Sequence, residues 1–342
     1  MSSFPSRRFS RLAALCLIPL SAMGAGACAW AQSPGKVAML FPGSINDQSW
    51  NASGYAALEK LKAGGYETAY SENVPPADHI ESMKDYARRG FNPVLGHTGR
   101  FYSAAQRVGP EFPDTRFIVA SAASGSGKNV TAVDYDNTQV GYLMGVLAAR
   151  LSKTGKIGSV NGLEGMPTTV EQVGGFRLGV RSVRPDAEVR VIYVKDMEDA
   201  ATSKEAALAL IAGGADFIFG KLNAGQNGII QAAKEKNVFV SGRSLAHVAS
   251  APDNVVTSIV ERWDAMYGAA VAAAKAGTLQ PTLITYGYDS SNPGADLMYS
   301  DTQSVSPVVP KEVADELEAV KKRFASGELK IKPGKEDARG GL

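Results

Sequence analysis

Short apolar runs alternate with longer stretches of helical periodicity along this chain. The runs at 36–41, 67–71, 93–96, 116–121, 130–135, 156–161, 188–193, 216–219 and 238–241 predict strands. Helix-like patterns fill the gaps between them at 51–62, 76–90, 102–112, 141–151, 170–182, 202–213 and 227–236, and another follows at 263–277. The second of these has Pro76 and Asp78 in its first turn and stops at Gly90, the usual start and stop signals. Strands alternating with helices of about 10–15 residues predict parallel sheets covered by helices on both faces. The alternation runs from 36 to about 134 and again from about 156 to 258, without an internal sequence repeat. This predicts two similarly wound α/β domains. Beyond Glu261 come a helix, a Gly/Pro/Ser-rich stretch at 286–294, and an amphipathic helix at 310–325. Val313, Leu317, Val320 and Phe324 share one face of that last helix. Residues 331–342 are charged and glycine-rich, and are expected to form a flexible tail.

The first 31 residues do not fit this scheme. Arg7, Arg8 and Arg11 precede an uncharged apolar stretch of roughly 16 residues, short of the ~20 a spanning helix needs. Ala29-Trp30-Ala31 then supplies a small-x-small cleavage site, so a signal peptide cut after about Ala31 is expected, with a periplasmic product. Ser6-Arg7-Arg8-Phe9 hints at a twin-arginine signal. Cys28 raises a lipid anchor, but the customary leucine three residues earlier is Ala25, and a soluble product is expected instead. Cleavage removes Cys16 and Cys28, the only two cysteines, leaving no disulfide, no zinc–thiolate site and no thiol nucleophile. Of the 36 Lys and Arg, the leader takes three, and it takes none of the 34 Asp and Glu. The remainder is close to neutral, which gives no electrostatic reason to expect a nucleic-acid partner.

Candidate chemistry begins at 43–51. A strand runs into a polar loop, Asn46-Asp47-Gln48-Ser49-Trp50-Asn51, that opens a helix, as at the carboxyl edge of a parallel sheet where ligands bind. The loop carries stacking and hydrogen-bonding groups and no metal-ligand set. His79, His97 and His247 are the only histidines and none stands in a metal-binding spacing. Gly125-Ser126-Gly127-Lys128-Asn129 lacks the glycine offset and the Ser/Thr of a phosphate loop and reads as a turn. No Gly-x-Ser-x-Gly elbow occurs. The pattern predicts a protein that holds a small polar ring, without cofactor, rather than one that transforms it.

Further segments join this loop: 129–149 (Asn-Val-Thr-Ala-Val-Asp-Tyr-Asp-Asn-Thr-Gln-Val-Gly-Tyr-Leu-Met-Gly-Val-Leu-Ala-Ala), Gly175-Phe-Arg-Leu-Gly179, Gly213-Gly-Ala-Asp-Phe-Ile-Phe-Gly220 with Gly225-Gln-Asn-Gly228, and Phe112-Pro-Asp-Thr-Arg-Phe117. In order and spacing they resemble the basic membrane protein family, substrate-binding proteins of ABC importers, several of which bind purine nucleosides or bases. The resemblance covers about 36–330. It implies a type I periplasmic-binding fold, a monomer with two α/β domains, a hinge and an interdomain ligand cleft. One domain would comprise 36–134 plus about 258–284 and the other 135–257 plus about 285–309, with 310–330 left unassigned. The crossovers would fall near 134–138, 257–258 and 283–288. The partners implied are a small-molecule ligand and an inner-membrane ABC permease.

Carried over residue by residue, the family loop matches Asp47, Ser49, Trp50 and Asn51. Trp50 would stack on a planar base, Asp47 or Asn46 would bond its edge, and Ser49 would bind ligand or cap the helix. His97 would bond a ring nitrogen or carbonyl, Phe101 would stack, and Tyr135 would line the cleft or pack the hinge. In the second half, Met197 stands where a family phenylalanine precedes an Asn-Asp pair, and Asn223 lies where a family glycine pair is replaced. Arg243 stands near the position of an acidic residue of nucleoside binders, and Glu261 replaces a lysine. These exchanges favour a nucleobase over a nucleoside. They also leave open a carboxylated or other heterocycle gripped by Arg243, or a structural Arg243–Glu261 bridge. An exported nucleoside hydrolase and a ligand-presenting sensor are the readings from other classes.

Overall fold

The computed structural model describes residues 35–341, so the leader and its cleavage site lie outside the described residues. Strands form where the apolar runs predict them: β1 (Lys36–Leu40), β2 (Glu67–Ser71), β3 (Val94–Gly96), β4 (Phe117–Ala120), β5 (Val130–Tyr135), β6 (Lys156–Gly162), β7 (Glu188–Val194), β8 (Phe217–Lys221) and β9 (Phe239–Gly242). Also present are β10 (Val255–Glu261), β11 (Leu283–Tyr286) and β12 (Ala295–Met298). The sequence reading misses β10 as a strand because Thr257 and Ser258 interrupt its apolar run. Both are fully buried, and their hydroxyls donate to Ser304 O (2.6 Å) and Ser244 O (2.8 Å).

The strands build two sheets. The first has the order β11-β5-β4-β3-β1-β2 and is parallel throughout. The second has the order β12-β10-β9-β8-β6-β7 and is parallel except for β12, which runs against β10. β3, β4 and β5 are buried along their whole length, as strands covered on both faces must be. Helices alternate with the strands: α1 (Trp50–Ala63), α2 (His79–Arg88), α3 (Tyr102–Val108), α4 (Asn137–Leu151), α5 (Pro167–Val183), α6 (Ala200–Ala212), α7 (Gln226–Lys236), α8 (Leu245–Ser250), α9 (Trp263–Lys275) and α10 (Lys311–Ala325).

The chain passes between the sheets after β5, after β10 and between β11 and β12. β10 stays paired with β12 as far as Glu261, opposite Ala295, so the second passage lies beyond the expected 257–258. α9 returns to the first sheet and packs on α1 and β5. α4 and α5 lie against each other in the second lobe at close range. A Cβ on Gly145 would come within 2.1 Å of Phe176 O, and one on Gly179 within 2.1 Å of Tyr142 O. The glycines of the two recognisable segments therefore serve helix packing.

α10 packs on α4, with the Tyr142 and Phe324 rings edge to face at 5.7 Å and a two-pronged Arg150–Glu316 pair at 2.8 Å. This places 311–325 on the second lobe. Residues 331–341 are not frayed, contrary to the expectation from their composition. Gly341 exchanges two backbone hydrogen bonds with Val191 of β7 (2.8 and 2.9 Å). Arg177 of α5, buried, donates to the carbonyls of Arg339 (2.7 Å), Gly341 (2.9 Å) and Asp337 (3.3 Å). Much of the attachment runs through backbone carbonyls, which composition does not reveal.

Candidate functional site

The carboxyl ends of the two sheets border a cavity of about 430 Å³, within the range of small-molecule sites. The first lobe contributes Trp50, the segment Thr98–Arg100 and Ser121; the second contributes Met166, Met197, Lys221, Asn223 and Arg243.

Trp50 reaches the cavity from a braced position. Its Nε1 donates to His97 O (2.7 Å), and His97 Nε2 donates to Trp50 O (2.9 Å). The two rings stack at 4.6 Å and 24°. Because a carbonyl only accepts, the His97 proton sits on Nε2, and Nδ1 accepts from the Tyr267 hydroxyl at 2.7 Å. Complete burial drives the imidazole down to about 4, so it is neutral at ordinary pH. His97 supports Trp50 from behind and does not line the cavity.

Asp47 also lies outside the lining. Its Oδ1 accepts from Ser49 N and Ala52 N, and its Oδ2 from Asn51 N and Nδ2, all at 2.9 Å. The carboxylate thus caps α1, where the helix end favours negative charge. Ser49 is buried and its hydroxyl neither caps the helix nor meets a partner among the described residues. Asn46 is exposed on the loop. Phe101 is fully buried against His79, with ring centres 4.0 Å apart. Tyr135 is buried at the first crossover, its hydroxyl donating to Glu261 Oε1 (3.1 Å). Of the sequence-derived candidates, the cavity gathers Trp50, Met197, Asn223 and Arg243.

On the second lobe, Met197 O accepts from Asn223 N (3.1 Å) and Gly225 N (2.9 Å), which joins the loops after β7 and β8. Asn223 Nδ2 donates to Glu198 Oε1 (2.5 Å), and Asn223 lines the cavity beside Met197. Arg243 and Glu261 form a buried ion pair, and Arg243 Nη1 donates to Leu222 O (2.8 Å). Burial opposes both charges, but each sustains the other, and the Glu261 carboxyl stays below the usual range. Glu261 Oε2 also accepts from Trp263 Nε1 (2.7 Å).

Lys221 lines the cavity and is not among the residues that the sequence pattern singles out. It closes the strand Phe217-Ile-Phe-Gly-Lys221, and its charge at the end of a buried apolar run was the available signal. Its Nζ donates to Asn137 Oδ1 (2.5 Å), Gln172 Oε1 (2.6 Å) and Tyr135 Oη (3.2 Å). Burial, reinforced by nearby Arg243, lowers the ammonium to about 8. Two cations on the cavity wall are therefore tied to the interlobe passages, Lys221 to the first and Arg243 to the second. A further interlobe contact runs from the Ser244 hydroxyl to Gln48 O (3.1 Å). No group of three or more potential metal ligands occurs among the described residues, and none of their helices is long and apolar enough to cross a membrane.

Comparison with known proteins accords with this geometry. The family described as "ABC transporter substrate-binding protein PnrA-like" matches residues 35–332. A purine-binding protein of Brucella abortus is 30% identical over 308 residues, covering 89% of this chain and 85% of that protein. The transcriptional activator protein med of Bacillus subtilis is 28% identical, covering 79% and 84%. A solute-binding protein of an ABC transporter system from Conexibacter woesei superposes with a TM-score of 0.71 at 28% identity, covering 87% of this chain and 98% of that one. The family match over nearly the whole described chain, together with the 30% identity to the Brucella abortus protein, shows that the chain belongs to the Bmp family of PnrA-like ABC transporter substrate-binding proteins.

Proposed function

We propose that this protein binds a purine nucleobase, or a related nucleoside, between its two lobes and delivers it to an ABC permease. The cavity is the observation that carries this reading: Trp50 offers an aromatic face on one lobe, and Met197 and Asn223 face the same space from the other. An aromatic wall supplies area for a planar ring, and an amide that both donates and accepts can read a base edge. The purine-binding relative supports the same class of solute. A carboxylated ligand gripped by Arg243 is less favoured, because that guanidinium is already committed to Glu261 and Leu222 O. We read the protein as a receptor rather than an enzyme, exported by a leader spanning 1–31.

Mass spectrometry of solute released from the purified protein is the direct test. It pairs with thermal shift against bases, nucleosides and carboxylated heterocycles. A ligand at a hundred times its Kd should add about 2.7 kcal/mol of stability. A melt that responds to another solute class and to no purine refutes the ligand assignment. Conversion of the bound compound to product refutes the receptor assignment.

A further inference from the structure

The cavity rim on the second lobe contains a tight turn, closed by Met166 N donating to Leu163 O (3.2 Å). Gly165 occupies its third position at φ 83°, where a turn of this kind requires positive φ. Leu163 and Met166, the ends of the turn, line the cavity. Its exposed second residue, Glu164, bonds elsewhere: Oε1 accepts from Gly340 N (2.9 Å). The rim is thereby attached to the tail.

The tail is itself fixed. Arg177 distributes its donors over the carbonyls of Val189, Asp337, Arg339 and Gly341. The Tyr193 hydroxyl donates to Ala338 O, and Arg181 pairs with Asp337 at 3.3 Å. Arg177 belongs to the Gly175-Phe-Arg-Leu-Gly179 segment, whose glycines set helix packing, and its guanidinium is turned to 337–341 and not to the cavity. An attachment this redundant gives Glu164 a stationary partner.

We propose that the segment 333–341 is a positioning element of the binding site, and that Glu164 is the residue through which it holds the Leu163–Met166 turn against the cavity. Glu164 acts through the turn and does not itself face the solute. The proposal rests on the cavity being the ligand site, not on the ligand being a purine.

Hydrogen exchange of 162–169 in the full chain tests it without any ligand. Glu164→Ala removes the acceptor, and exchange of the turn should quicken roughly fivefold, the factor for one ordinary hydrogen bond. Glu164→Gln keeps an acceptor oxygen and should restore the slow rate. Tyr193→Phe, which loosens the tail at Ala338, should quicken the same segment by a smaller factor. The Gly341 amide should stay protected in both Glu164 variants. For any solute shown to bind, Glu164→Ala should weaken affinity by a few-fold while Glu164→Gln leaves it unchanged. Turn exchange in Glu164→Ala equal to that of the parent protein overturns the proposal, whether or not a purine binds. An Ala variant and a Gln variant equally fast overturn it too, because the acceptor would then be irrelevant.

Discussion

Arg243 and Glu261 form an ion pair with both side chains almost wholly removed from solvent, and so connect the cavity wall to the passage that follows β10. Removing one member leaves the other charge buried and uncompensated. Glu261→Gln should therefore cost about 3–5 kcal/mol in urea denaturation, and the double change Arg243→Met with Glu261→Met should recover most of that loss. A single variant as stable as the parent would show that water or another group replaces the lost charge.

Trp50 contributes a ring face to the cavity while its indole nitrogen and backbone carbonyl are both engaged by His97. Trp50→Ala should weaken a planar ligand by about 1–3 kcal/mol in titration calorimetry. Trp50→Phe should retain more of the affinity, since it keeps a stacking surface and loses the hydrogen bond. Equal affinity in all three proteins would assign Trp50 to packing alone.

Protonation sets two opposing trends in acid. His97 and His247 are each held down to about 4 by burial, from an ordinary 6.5. The unfolded chain therefore takes up their protons first, and their contribution, present above 6.5, is lost as pH falls toward 4. Asp134 is pushed up to about 7 by burial, so the folded chain holds its proton more tightly and gains stability as pH falls from 7 toward 3.8. Burial also raises Asp136 and Glu171, and Asp134→Asn removes one of these compensating groups. The fall in Tm between pH 6.5 and 4 should be steeper in that variant than in the parent. A parallel pair of Tm curves would contradict this assignment of Asp134.

The α4–α5 contact leaves no room for a methyl group where Gly145 faces Phe176 O and Gly179 faces Tyr142 O. Gly145→Ala should cost about 1–3 kcal/mol or more through displacement of backbone, despite the higher helix propensity of alanine. A more stable Gly145→Ala protein would mean that the helices separate at little cost.

The architecture is legible in the sequence because buried parallel strands appear as uninterrupted apolar runs. β10 is hidden because Thr257 and Ser258 satisfy their hydroxyls on backbone carbonyls remote in sequence. The site divides in the same way. Trp50, Met197, Asn223 and Arg243 follow strand ends and do reach the cavity. Asp47 stands in the same loop as Trp50, but its oxygens are consumed by four local donors, and nothing in its spacing separates a cap from a ligand contact. His97 and Tyr135 likewise turn to buried partners that only the fold brings near. Lys221 was visible as a charge at the end of an apolar strand, but its acceptors come from the first crossover and from α5.

The bridge between Gly341 and Val191 has a consequence for colloidal behaviour. β7 is the outermost strand of its sheet, and an open strand edge offers hydrogen-bonding groups to any neighbouring chain. The tail occupies part of that edge from within the same molecule. Proteolytic trimming there would uncover an adhesive margin, and light scattering would register it as self-association that rises with protein concentration.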